Sequence, residues 1–281
     1  MRRELFMRFP GGVRKALTLS YDDGVEQDIK LVGILDKHGL KCTFNLNGGC
    51  FAPEDKVYPE GTIHRRMKKA SCVELYKNGP HEVAVHAYTH PFLERLPSAQ
   101  VAYEIIKDRE ELEATFGCIV RGMAYPYGAY SDEVVKVLET CGIVYARTTK
   151  STERFDVPTD WLRMPATCHH THPRLMELAH SFVEDNNDKR PKLFYLWGHT
   201  YEFEDRDNWQ VIEEFAEYMG GREDVWYATN IEIYEYVEAF KRLVFSADMR
   251  YVKNPTDKDI WFFLNKEERF IGSGQSIIIE D

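Results

Sequence analysis

The sequence lacks the features that would assign it to a membrane, to nucleic acid or to a dinucleotide cofactor. No window of the chain is apolar enough over a sufficient length to span a bilayer. The first ten residues contain neither the apolar segment nor the small-residue cleavage site of a signal peptide. Acidic residues outnumber basic ones by 46 to 36, giving a net charge of −10, which argues against binding a phosphate backbone. No Gly-x-Gly-x-x-Gly turn follows an early strand. We therefore expect neither a membrane nor a nucleic acid as partner.

Closely spaced cysteine pairs are also missing. None of the six cysteines forms a C-x-x-C motif, so their spacing does not indicate a structural zinc site or a redox pair. The simplest expectation is a set of reduced, mostly buried thiols in a cytoplasmic protein. These cysteines are Cys42, Cys50, Cys72, Cys118, Cys141 and Cys168.

Alternating strand-like and helical patterns predict the fold. Roughly seven strand–helix units follow one another up to about residue 242, and apolar residues make up 43% of the chain. This order is typical of a parallel β-barrel with helices outside, and an open doubly wound sheet is the competing architecture. The final residues are β-like and contain turn signals. We therefore predict a barrel over residues 1–243 and a small β-rich extension over residues 244–281.

Two polar groups, each directly after a short apolar strand, predict a metal site. Asp22 and Asp23 follow the first strand, and the segment His86-Ala-Tyr-Thr-His90 follows a later one. Histidines at positions i and i+4 share one face of a helical turn, so both imidazoles should reach one ion. Asp23, His86 and His90 thus form a candidate metal site. Three protein ligands with open positions are typical of a catalytic rather than a structural metal.

Three further residues are candidates for catalysis at the same end of the barrel. Adjacent carboxylates repel each other unless a cation relieves them, so metal binding by Asp23 would leave Asp22 free as a general base. His199 follows another strand and is a candidate general acid, with a structural role as the alternative. The backbone N–H of Tyr127, in a stiff Pro-Tyr-Gly turn, is a candidate oxyanion donor. Packing of that aromatic loop on the rim is the alternative.

A second histidine cluster, His169-His-Thr-His172, carries a weaker signal. Adjacent histidines in an extended loop should point in different directions, and the sequence shows no obvious partner carboxylate. We therefore favour a structural role over a functional one, and substrate contact over metal binding if the cluster is functional. Aromatic side chains near His199 either line a sugar-stacking cleft or pack in the core; they are Trp197, Tyr201, Phe203 and Trp209.

Taken together, these motifs resemble the polysaccharide deacetylase family, also called carbohydrate esterase family four, over roughly residues 15–240. The family's Thr-Phe-Asp-Asp-Gly motif corresponds to Ser20-Tyr-Asp-Asp-Gly24, and its His-Ser/Thr-x-x-His motif to His86-Ala-Tyr-Thr-His90. Its Arg-x-Pro-Tyr motif matches Ala124-Tyr-Pro-Tyr127 in part, and its Leu-x-His motif matches Trp197-Gly-His199 loosely. The first two motifs are specific in combination, whereas the later two are not.

The resemblance implies a distorted (β/α)7 barrel that binds a divalent ion, most often zinc, with cobalt or manganese as alternatives. It also implies that Asp22 is the general base and that His199 protonates the departing amine. The Tyr127 N–H would help to hold the oxyanion. The reaction would be hydrolysis of an N-acetyl group, or less often an O-acetyl ester, on an acylated sugar or polysaccharide.

This chain departs from the family pattern at two positions, and alternative functions remain open. Ala87 replaces a hydroxyl residue that braces the histidine loop, and Ala124 replaces the arginine that orients the base. Arg121 lies too far along its strand to compensate, so Arg163 is expected to supply the cation. Two other functions remain open: opening of a cyclic amide, imide or ureide on the same metal, or carbohydrate binding without catalysis. Homo-oligomerisation is left open as well.

Overall fold

The computed structural model describes residues 4–186 and 189–279, which form a curved parallel sheet flanked by helices and a β-rich extension. The strands are β1 Leu5–Arg8, β2 Lys15–Asp22, β3 Cys42–Leu46, β4 Glu82–Val85, β5 Gly122–Ala124, β6 Tyr145–Ser151, β7 Met164–Ala166, β8 Cys168–His169, β9 Lys192–Gly198, β10 Val225–Tyr227, β11 Val244–Phe245, β12 Tyr251–Lys253, β13 Ile260–Leu264, β14 Glu267–Ile271 and β15 Ser276–Ile278. The α-helices are α1 Asp28–Lys37, α2 Lys69–Tyr76, α3 Ser98–Phe116, α4 Asp132–Thr140, α5 Leu175–Glu184, α6 Tyr201–Asp205, α7 Gln210–Met219 and α8 Asn230–Lys241. Within the described ranges, none of these helices is both long and apolar enough to cross a membrane.

The parallel sheet has β2 at its centre. Its strands follow the order β7-β6-β5-β4-β3-β2-β9-β8, and β10 pairs with the first residues of β2. All eight residues of β2 are buried, as expected for a strand covered on both faces. Helices between successive strands give the crossovers that parallel pairing requires. The predicted α/β class with parallel strands is therefore confirmed.

A short segment that the sequence did not predict as strand joins the two edges of this sheet. In residues 164–169, β7 pairs with β6 and β8 pairs with β9. Between the two, the Thr167 amide donates to the Tyr195 carbonyl at 2.8 Å, and the Tyr195 amide donates to the Thr167 hydroxyl at 3.0 Å. The segment contains Pro165 and no apolar run, so its role depends on neighbours that are distant in sequence. It draws the sheet into a distorted barrel.

Several helix termini follow local sequence signals. Gly117 ends α3 in the left-handed region at φ +72°, and the Ser131 hydroxyl accepts the Val134 amide at the start of α4. Thr229 caps α8, because its side chain and that of Glu232 form a reciprocal capping box.

The extension consists of two small antiparallel sheets. Their strand orders are β1-β13-β14 and β11-β12-β15, so β1 from the start of the chain pairs with β13 near its end. Apolar residues of the extension, including Val252 and Phe262, belong to the same buried cluster as Ala16 and Leu193 of the barrel strands. The extension thus packs on the barrel. The division at residues 243 and 244 stays a prediction.

The barrel is tightly packed around Gly122 in β5. A Cβ atom on Gly122 would lie 2.1 Å from the Tyr145 hydroxyl oxygen, which is buried and donates to Glu82 at 2.6 Å. We expect Gly122→Ala to lower the free energy of unfolding by about 1–3 kcal/mol, because the buried ring must move. Urea unfolding measures the change.

Gly33→Ala is the matched control. Gly33 lies within α1, and its added Cβ would meet no atom within 4 Å. Alanine stabilises a helix interior relative to glycine by roughly 0.5–1 kcal/mol, so this variant should be slightly more stable. Equal destabilisation by both substitutions would contradict the packing described for β5.

Candidate active site

The predicted site residues other than Arg163 meet at one end of the barrel. Asp22 is the last residue of β2 and Asp23 follows it, while His86 follows β4 and His199 follows β9. These strands are parallel, so their carboxyl ends form a single rim, which is where barrel folds carry their chemistry.

Asp23, His86 and His90 form a compact group whose potential ligand atoms all lie within 4.8 Å of one another. The Nε2 atoms of His86 and His90 are 3.9 and 3.7 Å from Oδ1 of Asp23. Nδ1 of His86 donates to the Ala124 carbonyl at 2.8 Å, which leaves the Nε2 lone pair facing the group. The arrangement brings together all three predicted metal ligands.

Protonation states in this group suit a divalent metal. Burial lowers the pKa of both histidines, that of His90 to about 4, so both imidazoles are neutral near pH 7. Burial alone would raise the pKa of Asp23, but hydrogen bonding to His64 and the charge of Arg66 hold it far below its ordinary value. Neutral imidazoles and an ionised carboxylate are the forms that bind metal. These residues therefore fit a divalent cation.

The two histidines do not share a helical turn, contrary to the sequence-based expectation. Ala87 and His90 both adopt left-handed backbone conformations, at φ +59° each, and no helix includes them. The turn is fixed instead by Glu104 of α3, whose carboxylate accepts the Thr89 amide at 2.7 Å and the Thr89 hydroxyl at 2.8 Å. Side-chain hydrogen bonds therefore bring the imidazoles together.

Two further side chains brace the histidine loop where Ala87 lacks a hydroxyl. The Asn47 amide donates to the Ala87 carbonyl at 2.6 Å and to the His86 carbonyl. The buried carboxylate of Asp108 accepts the amides of Gly48 at 2.6 Å and of His86 at 3.1 Å. Burial raises the pKa of Asp108 well above its usual value, although these hydrogen bonds oppose the shift.

Asp22 is buried in a network that keeps it ionised. Its Oδ1 accepts the Asn45 side-chain amide at 2.8 Å, and its Oδ2 pairs with the Arg147 guanidinium. Burial alone would raise the pKa of Asp22, but Arg147, with smaller contributions from His86 and His199, holds it below its ordinary value. An ionised carboxylate at the rim is able to accept a proton.

The expectation that Arg163 provides the cation beside Asp22 is wrong. Arg163 is partly exposed and pairs with Asp160 at 3.0 Å and Asp132 at 2.7 Å. Arg147 takes that place from β6, and its direct partner across the strands is Ala124, the position at which the family motif carries arginine. The signal in the sequence was a charged residue directly after the apolar run Ile143-Val-Tyr-Ala146.

Two residues beside Asp23 were also missed. Arg66 donates to Oδ1 of Asp23 at 2.9 Å, and Nε2 of His64 lies 3.2 Å from Oδ2. Arg66 also donates to the Asn47 side chain at 2.7 Å and to the Asp23 carbonyl. Both residues come from the irregular stretch after β3, where neither strand nor helix periodicity indicates a position. The run His64-Arg-Arg66 was the available signal.

His199 lies opposite Asp22 and is oriented by Glu202. Its Nδ1 is 3.1 Å from Oε1 of Glu202, and its Nε2 is 3.7 Å from Oδ2 of Asp22. Burial would lower the pKa of His199, but the hydrogen bond to Glu202 and the charges of Asp22 and Asp23 raise it overall. The imidazolium form therefore persists to higher pH than in an ordinary histidine.

Tyr127 lies beside the metal-binding group on a tight turn. Its backbone is left-handed at φ +58°, and the turn is closed by hydrogen bonds from the Gly128 and Ala129 amides. The ring stacks on Phe92 with centroids 3.9 Å apart and meets the His90 ring edge-on at 4.6 Å. The turn thus places the Tyr127 ring next to His90.

The second histidine cluster differs from its prediction. The rings of His169 and His170 lie 4.4 Å apart instead of diverging, and a carboxylate, Glu202, is present between the cluster and His199. Strand β8 ends at His169, and a turn closed by the His172 amide, which donates to the His169 carbonyl at 2.9 Å, follows it. The third histidine, His172, faces Glu153 at 3.4 Å.

The aromatic cleft proposed beside His199 is mostly core. Phe203 is fully buried, Trp197 is 7% exposed, and Trp209 packs against the core with Lys30 above its ring. Tyr201, whose ring lies 5.3 Å from that of His199, remains at the rim.

Replacing the buried Arg147 should lower the stability of the protein far more than replacing Arg163 at the surface. We expect Arg147→Met to lower the free energy of unfolding of the metal-free protein by about 3–5 kcal/mol, since Asp22 would keep an unpaired buried charge. Arg163→Met, the matched control, should change it little because exposed ion pairs contribute little. Urea unfolding compares the two variants.

Adding Asp22→Asn to Arg147→Met should recover part of the loss, because the buried charge then disappears. Equal stability of the Arg147→Met and Arg163→Met proteins would rule out the assigned pairing.

Comparison with known proteins agrees with this geometry. Residues 11–146 match the family model described as polysaccharide deacetylase. That segment contains Asp22, Asp23, His86, His90 and Tyr127, whereas Arg147 and His199 lie beyond it.

Two curated relatives illustrate the similarity. A chitin deacetylase of Arthroderma benhamiae is 31% identical over 132 residues, covering 45% of this chain and 31% of that protein. A peptidoglycan-N-acetylglucosamine deacetylase of Bacillus cereus is 27% identical over 131 residues, covering 46% and 42%. The chain spans between 23% and 52% of the length of the curated relatives it matches.

The fold is shared with a solved structure. A Mycobacterium smegmatis protein whose name assigns it to the polysaccharide deacetylases superposes with a TM-score of 0.58 at 17% identity, covering 83% of this chain and 93% of that one. Residues 11–146 therefore resemble the polysaccharide deacetylase family, and the likeness to the solved structure concerns the fold.

Proposed function

We propose that this protein is a metal-dependent hydrolase that removes an acetyl group from an N-acetylated or O-acetylated sugar or polysaccharide. The supporting observation is that Asp22 and His199 face each other across 3.7 Å, beside the group of Asp23, His86 and His90. One group suited to accept a proton and another suited to donate one therefore flank a single metal-binding position. Hydrolysis of an amide or ester needs this combination.

Asp23, His86 and His90 would hold the cation. Two imidazoles and a carboxylate suit zinc or cobalt, and manganese is an alternative. When bound, the cation supplies electrophilic polarisation of the acyl carbonyl and of water.

Asp22 is the general base in this proposal. Its carboxylate accepts the proton of the attacking water, and Arg147 and Asn45 fix its orientation at the end of β2. Because Arg147 keeps Asp22 ionised, the base is ready to act at neutral pH.

His199 is the general acid. Its Nδ1 is held by Glu202, so its Nε2 is directed toward Asp22 and the reacting position. From there it donates a proton to the departing amine nitrogen, or to the departing oxygen of an ester. The Tyr127 N–H donates a hydrogen bond to the oxyanion, on a turn that is already formed.

The surroundings of the site support a carbohydrate as substrate. Tyr127 is 56% exposed beside His90, and Tyr201 packs edge-on against His64 on the Asp23 side, with centroids 4.9 Å apart. Aromatic faces at the edge of a polar site are suited to the apolar faces of sugar rings. The deacetylases of chitin and peptidoglycan among the relatives agree with this substrate class.

Asp22→Asn should lower the rate of acetate release from N-acetylglucosamine oligomers by at least about 100-fold, because the amide cannot accept the proton. Its metal content should be unchanged. Arg163→Met, a surface variant, serves as the activity control. Full turnover by the Asn variant would exclude Asp22 as the base.

A substrate panel tests the reaction class. Oligomers of N-acetylglucosamine, an O-acetylated xylan and a cyclic imide are incubated with wild-type protein loaded with zinc, cobalt or manganese. Acetate release from either sugar supports the proposal. Ring opening of the imide alone, or sugar binding with no release, would assign one of the other two functions.

The double variant His86→Ala/His90→Ala tests the metal group. Loss of two of three ligands should remove one divalent ion per chain relative to wild type, as measured by elemental analysis after loading with zinc. An unchanged metal content in the double variant would contradict the assigned ligands.

A further inference from the structure

A second group of potential metal ligands lies on the far side of His199. It consists of His169, His170 and Glu202, whose ligand atoms all lie within 4.8 Å of one another. The Nε2 atoms of His170 and His169 are 3.1 and 3.6 Å from the same carboxylate oxygen, Oε2 of Glu202. We call these three residues the His–His–Glu cluster.

Three polar atoms of this cluster, both ring nitrogens of His170 and Oε2 of Glu202, are buried and lack hydrogen bonds to the described residues. His170 is 1% exposed, and among the described residues neither of its ring nitrogens has a hydrogen-bond partner. Oε2 of Glu202 is likewise buried without one. Nε2 of His170 and Oε2 of Glu202 lie 3.1 Å from each other. Buried polar atoms are normally hydrogen-bonded, so each exception requires an explanation, of which an ion is one.

The spacing of the ligand atoms agrees with a common cation. Two ligands at 2.0–2.1 Å from a tetrahedral zinc ion are about 3.3 Å apart. The observed separations of 3.1 and 3.6 Å fall on either side of this value. The rings of His169 and His170 lie 4.4 Å apart at the turn that follows β8.

The fold holds the cluster in place. The His170 ring is stacked between Phe203 and Tyr21, with centroids 4.1 and 5.7 Å away. Gly198 leaves room for it, since a Cβ there would lie 1.9 Å from Nδ1 of His170. Oε1 of Glu202 is 3.1 Å from Nδ1 of His199, and Oε2 faces the cluster, with Arg206 4.0 Å away. The ligands are thus arranged before any ion binds.

We propose that His169, His170 and Glu202 form a second divalent-cation site, separate from the Asp23 group. Two nitrogen ligands and one carboxylate favour zinc or cobalt over magnesium or calcium, which prefer oxygen ligands. The inference does not depend on the deacetylase reaction, because it rests on the ligand geometry alone.

The second site would be linked to the first through one carboxylate. Glu202 contacts His199 with Oε1 and the cluster with Oε2, so a cation bound there would fix the side chain that orients His199. Glu202 is therefore a positioning residue, and the second ion would restrict its movement.

Counting zinc ions per chain in matched variants tests the proposal. Full-length proteins are stripped with a chelator, reloaded with zinc and dialysed, and their metal content is measured by elemental analysis. We expect two ions per chain in wild type and one in His86→Ala/His90→Ala. His169→Gln should retain one ion, since a partly exposed ligand is lost without disturbing the core. His172→Gln, in the same loop but outside the cluster, is the control and should retain two.

A single ion in wild type that disappears in His86→Ala/His90→Ala would overturn the proposal. So would two ions in the His169→Gln protein. Anomalous scattering from zinc-soaked wild-type crystals decides independently of variant folding: a peak between His169, His170 and Glu202 supports the site, and its absence refutes it. Acetate release plays no part in these measurements, so failure of the deacetylase proposal would be recognised separately.

Discussion

Arg147 and Asp22 place two full charges inside the barrel, with side chains 1% and 3% exposed, where a charge is stable only when it is paired. The guanidinium also lies over the Trp197 ring, 4.2 Å from its centroid, which adds a cation–π contact. Because Arg147 extends from β6 and Asp22 from β2, the pair joins two strands that are not neighbours in the sheet. The ionised state of Asp22 and its orientation toward His199 depend on this contact.

Each of the two adjacent aspartates pairs with its own arginine. Arg147 pairs with Asp22, and Arg66 pairs with Asp23, so the repulsion between the carboxylates is relieved without a metal. The same Arg66 charge opposes entry of a cation beside Asp23. Metal binding therefore depends on whether coordination by His86 and His90 outweighs the repulsion between the metal ion and Arg66. In this respect the site differs from a group of three ligands with no arginine beside it.

Features that depend on a local sequence pattern could be predicted from the sequence alone. Asp22, Asp23, His86 and His199 follow apolar strands directly, and parallel strands end at the same rim, so their proximity could be predicted. Arg147 could not be identified in this way, because its role depends on the pairing of β5 with β6. His64 and Arg66 come from an irregular stretch that shows no periodicity. The pairing of β1 with β13 depends on residues at opposite ends of the chain.

The two departures from the family motifs show why a motif is an incomplete guide to a site. Ala124 and Ala87 each remove a polar side chain from its usual position, yet the corresponding contacts are made by other residues. Arg147 reaches the base from the adjacent strand, and Glu104, with Asn47, braces the histidine loop. What the chemistry requires is a charge or a hydrogen bond at a point in space, and several positions in the chain can supply it. A missing motif residue therefore indicates lost function only after the neighbouring strands and helices have been searched for a substitute.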